Sequence, residues 1–374
     1  MAHAYTPGLK VLAYTVIEKQ RRLPLPGEVL VKEGDKVQAE EIVAKTSLPG
    51  SVQTVNVAGL LGILPEEIEE AMLKKPGDEV QKDEVIAQSK GFFGLFKSTV
   101  KSPITGKVES ISKITGQVIL REPPIPVQVI AYIDGEVSNV FPNEGVLIKT
   151  EGSFIQGIFG IGGETIGELA IAVDGPEKVL TEKDINESFK DKVIIGGSLA
   201  TYETLIKARN VGAKGIIVGG IEDQDLKKFM GYDIGVAITG SENVGLTIIV
   251  TEGFGKLNMA DRTHGLLKSL VGKKASINGA TQIRAGVMRP EVIVPLSKAP
   301  DKKISHISTG SGLEIGMAVR IIREPYFGMI GKVVNLPVAL ENIETESKVR
   351  VLEVELANNK RVKLPRANVE IIEE

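Results

Sequence analysis

The chain has 374 residues, a formal net charge of −3 at pH 7, 4% aromatic residues and no tryptophan. That length supports two to four domains, whose cores must rest on Val, Ile, Leu and Ala rather than on stacked rings. The near balance of acids and bases excludes a protein held to nucleic acid or membrane by global charge. Cysteine is absent, which excludes disulfides, thiol catalysis and Cys-ligated zinc or iron–sulfur centres. The histidines His3, His264 and His306 are scattered, so neither a metal nor a cofactor is expected. The opening MAHAYTPGLK lacks the apolar core of a secretory signal. No apolar run reaches the roughly 18–20 residues needed to span a bilayer. The expectation is a cytoplasmic protein without membrane insertion.

Residues 1–121 read as a duplicated β-hairpin module. VKEGDKVQAEEIVAKT (31–46) is repeated as KKPGDEVQKDEVIAQS (74–89), with Gly34-Asp35 answering Gly77-Asp78. Gly-Asp supports a tight turn, and alternating Val and polar residues give a half-buried strand. SLPGSVQTV after the first repeat and SPITGKVESI after the second are read as equivalent closing turns and strands. LPEEIEEAML (64–73) predicts a short helix with Pro65 in its first turn.

Over residues 22–121 this pattern resembles the biotinyl/lipoyl-like barrel-sandwich hybrid. The resemblance implies either a swinging-arm carrier or a non-carrier version, such as those in the large RNA polymerase subunits and in the C subunit of Rnf-type electron-transport complexes. A carrier of that family holds its modified lysine at the hairpin tip. Here the tip is KGFFGLFKSTVK (90–101), without an Asp-Lys or Met-Lys-Met signature, so Lys90 and Lys97 are expected to stay unmodified. Phe92, Phe93 and Phe96 at this tip either fold back onto the module or form a partner-docking loop.

Residues 122–191 read as a β-rich bridge. EPPIPVQV (122–129) is an extended joint, and 131–150 reads as hairpins. Gly160, Gly162, Gly163 and Gly167 lack the spacing of a dinucleotide or phosphate loop and are read as turn glycines.

Residues 192–300 predict an α/β domain with a parallel sheet, the hub of the chain. The β-branched runs 192–198, 212–221 and 245–255 alternate with helical patterns at 200–211, 223–230 and 258–271. In such sheets a ligand lies beyond the carboxyl ends of the strands. Candidate anion-binding residues are therefore Gly196, Gly197, Ser198, Thr251 and Glu252 at strand ends, with Arg262 and Arg284 nearby. Ordinary strand punctuation is the competing explanation, and no catalytic residue can be assembled from the spacing.

Residues 313–374 carry GMAVRIIREPYFGMIGKVVNLP (316–337), then 349–356 and KRVKLPRANVEII, a five-strand alternating pattern. This resembles the KOW domain of NusG-type transcription factors and several ribosomal proteins, with the family glycine at Gly331. The resemblance implies a small SH3-like barrel that contacts RNA, ribosomal proteins or RNA polymerase. Tyr326 and Phe327 would supply an aromatic turn, and Lys360, Arg361 and Lys363 a basic strand.

The fold class expected is thus multidomain α/β plus all-β: a barrel-sandwich-hybrid-like module, a central parallel-sheet domain and a KOW barrel. The expected function is a non-enzymatic adaptor or scaffold binding protein partners, with self-association as a further expectation. The alternatives are an RNA-, ribosome- or RNA polymerase-associated factor, and an anion-binding enzyme or sensor.

Overall fold

A computed structural model describes residues 9–90, 97–231, 244–281, 288–298, 313–323, 325–326, 329–337, 339–342, 348–356 and 359–371. Strands predominate, in several sheets, and the largest holds thirteen of them.

The two Gly-Asp repeats fold alike down to single hydrogen bonds. Gly34 and Gly77 take φ of 88° and 95°, a conformation in which a Cβ is strained. One residue on, Asp35 accepts the Lys32 amide at 2.8 Å and Asp78 accepts the Lys75 amide at 2.7 Å. Glu41 and Glu84 close the next turns on the amides of Gln38 and Gln81.

Pairing then departs from the sequence expectation. Lys36–Val37 pairs with Gly135–Phe141, as Glu79–Val80 pairs with Gly106–Ser112. Ile42–Leu48 pairs with Ile125–Ile130, as Val85–Gln88 pairs with Thr99–Lys101. Val11–Arg22 pairs with Gly145–Gln156, as Val52–Val55 pairs with Gln117–Arg121. The second module, residues 49–122, is therefore nested at the hairpin tip of the first, which resumes at 123. The stretch 48–55 does not close the first repeat but crosses into the second module. The closing role belongs to 131–140, where the Val137 amide donates to the Asp35 carbonyl as Val108 does to Asp78. Hydrogen-bond register, not nearness in sequence, decides which strand completes a hairpin.

Each module buries its own aliphatic cluster. Val80, Ile86, Val108, Val118 and Leu120 centre the second. Val37, Val43, Val137, Val146 and Ile148 centre the first, joined by Ile293 from the hub. The expected helix over 64–73 forms a 3-10 turn, Pro65–Glu67, running into Ile68–Ala71. A further short helix, Val57–Leu61, precedes it.

In the hub, four strands run parallel in the order Glu164–Ile171, Lys192–Ile195, Gly215–Ile221, Thr247–Phe254. Each step moves the same way across the sheet, so right-handed crossovers put the helices on one face. Leu205 and Ala208 of Tyr202–Asn210, with Leu226 and Phe229 of Asp223–Met230, pack there on Ile194, Ile216, Val218 and Ile248. The chain then reverses. Helix Asp261–Ser269 covers the opposite face through Leu266 and Leu267, against Val193, Ile217 and Ile249. Lys274–Asn278 follows, antiparallel to Glu164–Ile171 on its far side.

Both expected boundaries, after 121 and after 191, fall inside shared units. Strand Glu164–Ile171 belongs to the hub sheet, and Gly145–Gln156 pairs at once with the N-terminal strand and with Glu291–Pro295. In the C-terminal part six strands form one sheet, from Ala318–Ile321 to Val369–Ile371. Val319, Ile321, Val333, Leu352 and Val354 form its core.

Candidate functional site

The carboxyl ends of the hub strands are filled by the chain itself. A Cβ at Gly197 would strike the carbonyl of Lys178, one at Gly219 that of Leu257, and one at Gly220 that of Gly255. These glycines let residues 175–178 and 255–259 close over the sheet, and Gly196 lies against the side chains of Val218 and Leu180. Ser198 is buried, its Oγ donating to the Glu177 carbonyl at 2.8 Å, and Thr251 Oγ1 donates to the Val218 carbonyl at 3.3 Å. Four of the seven candidate anion ligands thus have an internal packing or hydrogen-bonding role.

Glu252, at the end of strand Thr247–Phe254, is the fifth, and it meets a cation rather than an anion. One carboxylate oxygen accepts the Ala260 amide at 3.1 Å and the other accepts Nη2 of Arg320, from the C-terminal sheet. Arg320 Nη1 donates to Glu370 at 2.8 Å, and Arg289 of the hub pairs with the other Glu370 oxygen at 2.6 Å. Arg320, Glu370 and Glu252 are 3%, 1% and 5% exposed. Two arginines and two glutamates thus form a charge-balanced network where the C-terminal sheet meets the strand ends, buried at Arg320, Glu370 and Glu252 and partly exposed at Arg289.

Arg262 Nη2 donates to the Val11 carbonyl at 2.9 Å, tying its helix to the N-terminal strand. His264 on the same helix is buried, and burial, reinforced by Lys268, pushes its pKa below the ordinary imidazole value. Arg284 lies outside the described residues.

On the C-terminal sheet, Tyr326 packs against the core under Lys360, whose Nζ stands 5.1 Å from the ring centroid. Lys363 pairs with Glu341 at 2.9 Å, and this hydrogen bond holds its pKa above the usual lysine value. Glu353 lies 3.8 Å from the same nitrogen, and Arg361 is 3.6 Å from Glu355. The basic strand is thus interleaved with acids from its neighbour. Phe327, Phe92, Phe93 and Phe96 lie outside the described residues.

A second cluster, at the joint between the first module and the hub, escaped sequence reading. Tyr132 is fully buried with φ of 71°, an unfavourable conformation for a bulky side chain. Its hydroxyl donates to Glu291 at 3.3 Å, and the Arg21 guanidinium stacks 5.2 Å from its ring centroid. Burial, with the charges of Glu291 and Glu164, raises its pKa well above the usual phenol value. Lys19 pairs with Glu291 at 2.5 Å, and Arg21 grips Glu164 through two hydrogen bonds of 2.6 and 2.7 Å. Lys274 of the hub reaches Glu40 and Asp134 of the first module, both at 2.8 Å. The equivalent position in the second module holds Pro103. No spacing rule could have found Tyr132, because its partners come from distant strands.

Among the described residues no helix is long and apolar enough to cross a membrane, and no three His, Asp or Glu side chains are placed to hold a metal ion. No protein-family model matches the sequence, and no curated protein matches it.

Proposed function

We propose that the chain is a non-enzymatic cytoplasmic adaptor or scaffold that binds protein partners through its β modules. On this reading residues 11–156 are two nested, non-carrier barrel-sandwich-hybrid units, and the C-terminal sheet is a KOW-type, SH3-like barrel. The observation that carries the reading is the hub mouth, where a ligand of an open α/β sheet would lie and where residues 175–178, 255–259 and Arg320 lie instead. With that mouth filled, this reading assigns recognition to the surfaces of the β units. The RNA alternative would draw on Lys360, Arg361 and Lys363. The acids beside Arg361 and Lys363 weaken it, because a cation already paired with a carboxylate neutralises phosphate less and so frees fewer of the counterions condensed on the nucleic acid.

The test is purification of the full chain from its native cell, with nuclease treatment and a salt series, followed by identification of what stays bound. A stoichiometric protein partner that survives nuclease and tolerates salt is expected. Loss of all partners on nuclease treatment, or a thermal shift with phosphate, nucleotides or sugar phosphates, would overturn the reading.

A further inference from the structure

We propose that the end of hub strand Thr247–Phe254 is a guanidinium-binding site, occupied by Arg320 of the chain's own C-terminal sheet, and that this pairing is a releasable latch setting the sheet's position on the hub. Successive residues of a strand point to opposite faces, and Val319 and Ile321 both enter the core of the C-terminal sheet. Arg320 therefore faces outward, as does Glu370 beside it, in register across the paired strands. In a free sheet both would be solvated. Their burial comes from the hub.

The pairing is reciprocal. The sheet's Arg320 meets the hub's Glu252, and the hub's Arg289 meets the sheet's Glu370. Such an arrangement fixes one docking register, because any slip sets like charges together or strands a charge without a partner. The ligand class is specific. Arg320 uses separate nitrogens for Glu252 and Glu370, a fork that the single ammonium of lysine does not reproduce. The Ala260 amide, bonded to the other oxygen of Glu252, fixes the carboxylate that receives it.

The same chemistry makes the contact releasable. Desolvation of buried ion pairs offsets most of their attraction. Arg320 Nε, moreover, is buried with no hydrogen-bond partner among the described residues. Ile322 gives the sheet an apolar foothold at the edge of the hub core. The latch is internal and holds whichever partner the β modules take.

The test uses the full chain, whose lack of cysteine allows two labels to be placed cleanly. Lys256→Cys on the hub and Lys332→Cys on the C-terminal sheet, both exposed positions, would carry spin labels for pulsed distance measurement. The parent should give one narrow distance distribution. Arg320→Ala and Glu252→Gln should each broaden and lengthen it, while Arg361→Ala leaves it unchanged. Glu252→Gln leaves the sequence of the C-terminal sheet intact, so it answers even where Arg320→Ala disturbs that sheet's own fold. A distribution as narrow in Glu252→Gln as in the parent would overturn the latch.

Discussion

Tyr132 and Glu252 carry non-local structure on single side chains. Truncating Tyr132 to Ala empties a fully buried aromatic site, at a cost of about 3–5 kcal/mol. Tyr132→Phe removes only the 3.3 Å hydrogen bond to the Glu291 carboxylate, worth about 1.5–3 kcal/mol for a charged acceptor. Urea unfolding of the full chain should rank the two variants in that order. His264 gives a pH signature. Its folded pKa lies below the unfolded value of about 6.5, so its contribution is intact above that pH. Stability then falls as pH drops through the window between the two values, where the unfolded chain binds the extra proton. His264→Leu should flatten the fall in stability that the parent shows as pH drops below about 6.5, the unfolded imidazole value. At this scale the sequence was half legible. Glu252 could be placed at a strand end from the apolar run before it, whereas Arg320, 68 residues away, sits in a pattern that reads only as a strand.

Among the elements, helix Asp223–Met230 was legible to the residue. Acids fill its first turn, lysines its last, and Gly231 at φ 81° ends it. Three of the four parallel strands were legible as β-branched runs ending in glycine or polar residues; the fourth, Glu164–Ile171, was not, because Gly167 inside it reads as a turn glycine. The nested module was not. The repeats 31–46 and 74–89 are nearly identical in pattern, while 131–140 lacks the proline of its counterpart at 102–111. Nearness therefore suggested 48–55 as the partner. At the neck, the Glu122 amide donates to the Ser51 carbonyl at 2.9 Å and Arg121 reaches the Gly50 carbonyl at 3.0 Å. The two ends of the insertion lie side by side, the geometry in which a domain insertion is tolerated. Replacing residues 49–122 with a two-residue hairpin loop should leave a soluble chain with the hub and first module folded. An aggregated or unfolded product would show instead that the first module needs its insertion.

At the scale of the whole molecule, the sheets divide the chain into units of unequal cooperativity. The first module and the hub share strand Gly145–Gln156 and part of a core through Ile293, so neither can unfold without stripping apolar surface from the other. The strands of the second module pair only among themselves, in sheets of four and two. A unit of that size buries a smaller fraction of its surface and is the more marginal. Calorimetry and native-state hydrogen exchange should therefore resolve an early transition for residues 49–122, below the transition of the hub with the first module. The duplicated turn supplies an internal control. Asp78→Ala and Asp35→Ala remove equivalent bonds, to the Lys75 and Lys32 amides, each worth about 1 kcal/mol. Asp78→Ala should lower only the early transition, and Asp35→Ala only the later one. A single transition, lowered alike by both substitutions, would mean that the nested module is welded to the rest of the chain rather than carried at its tip.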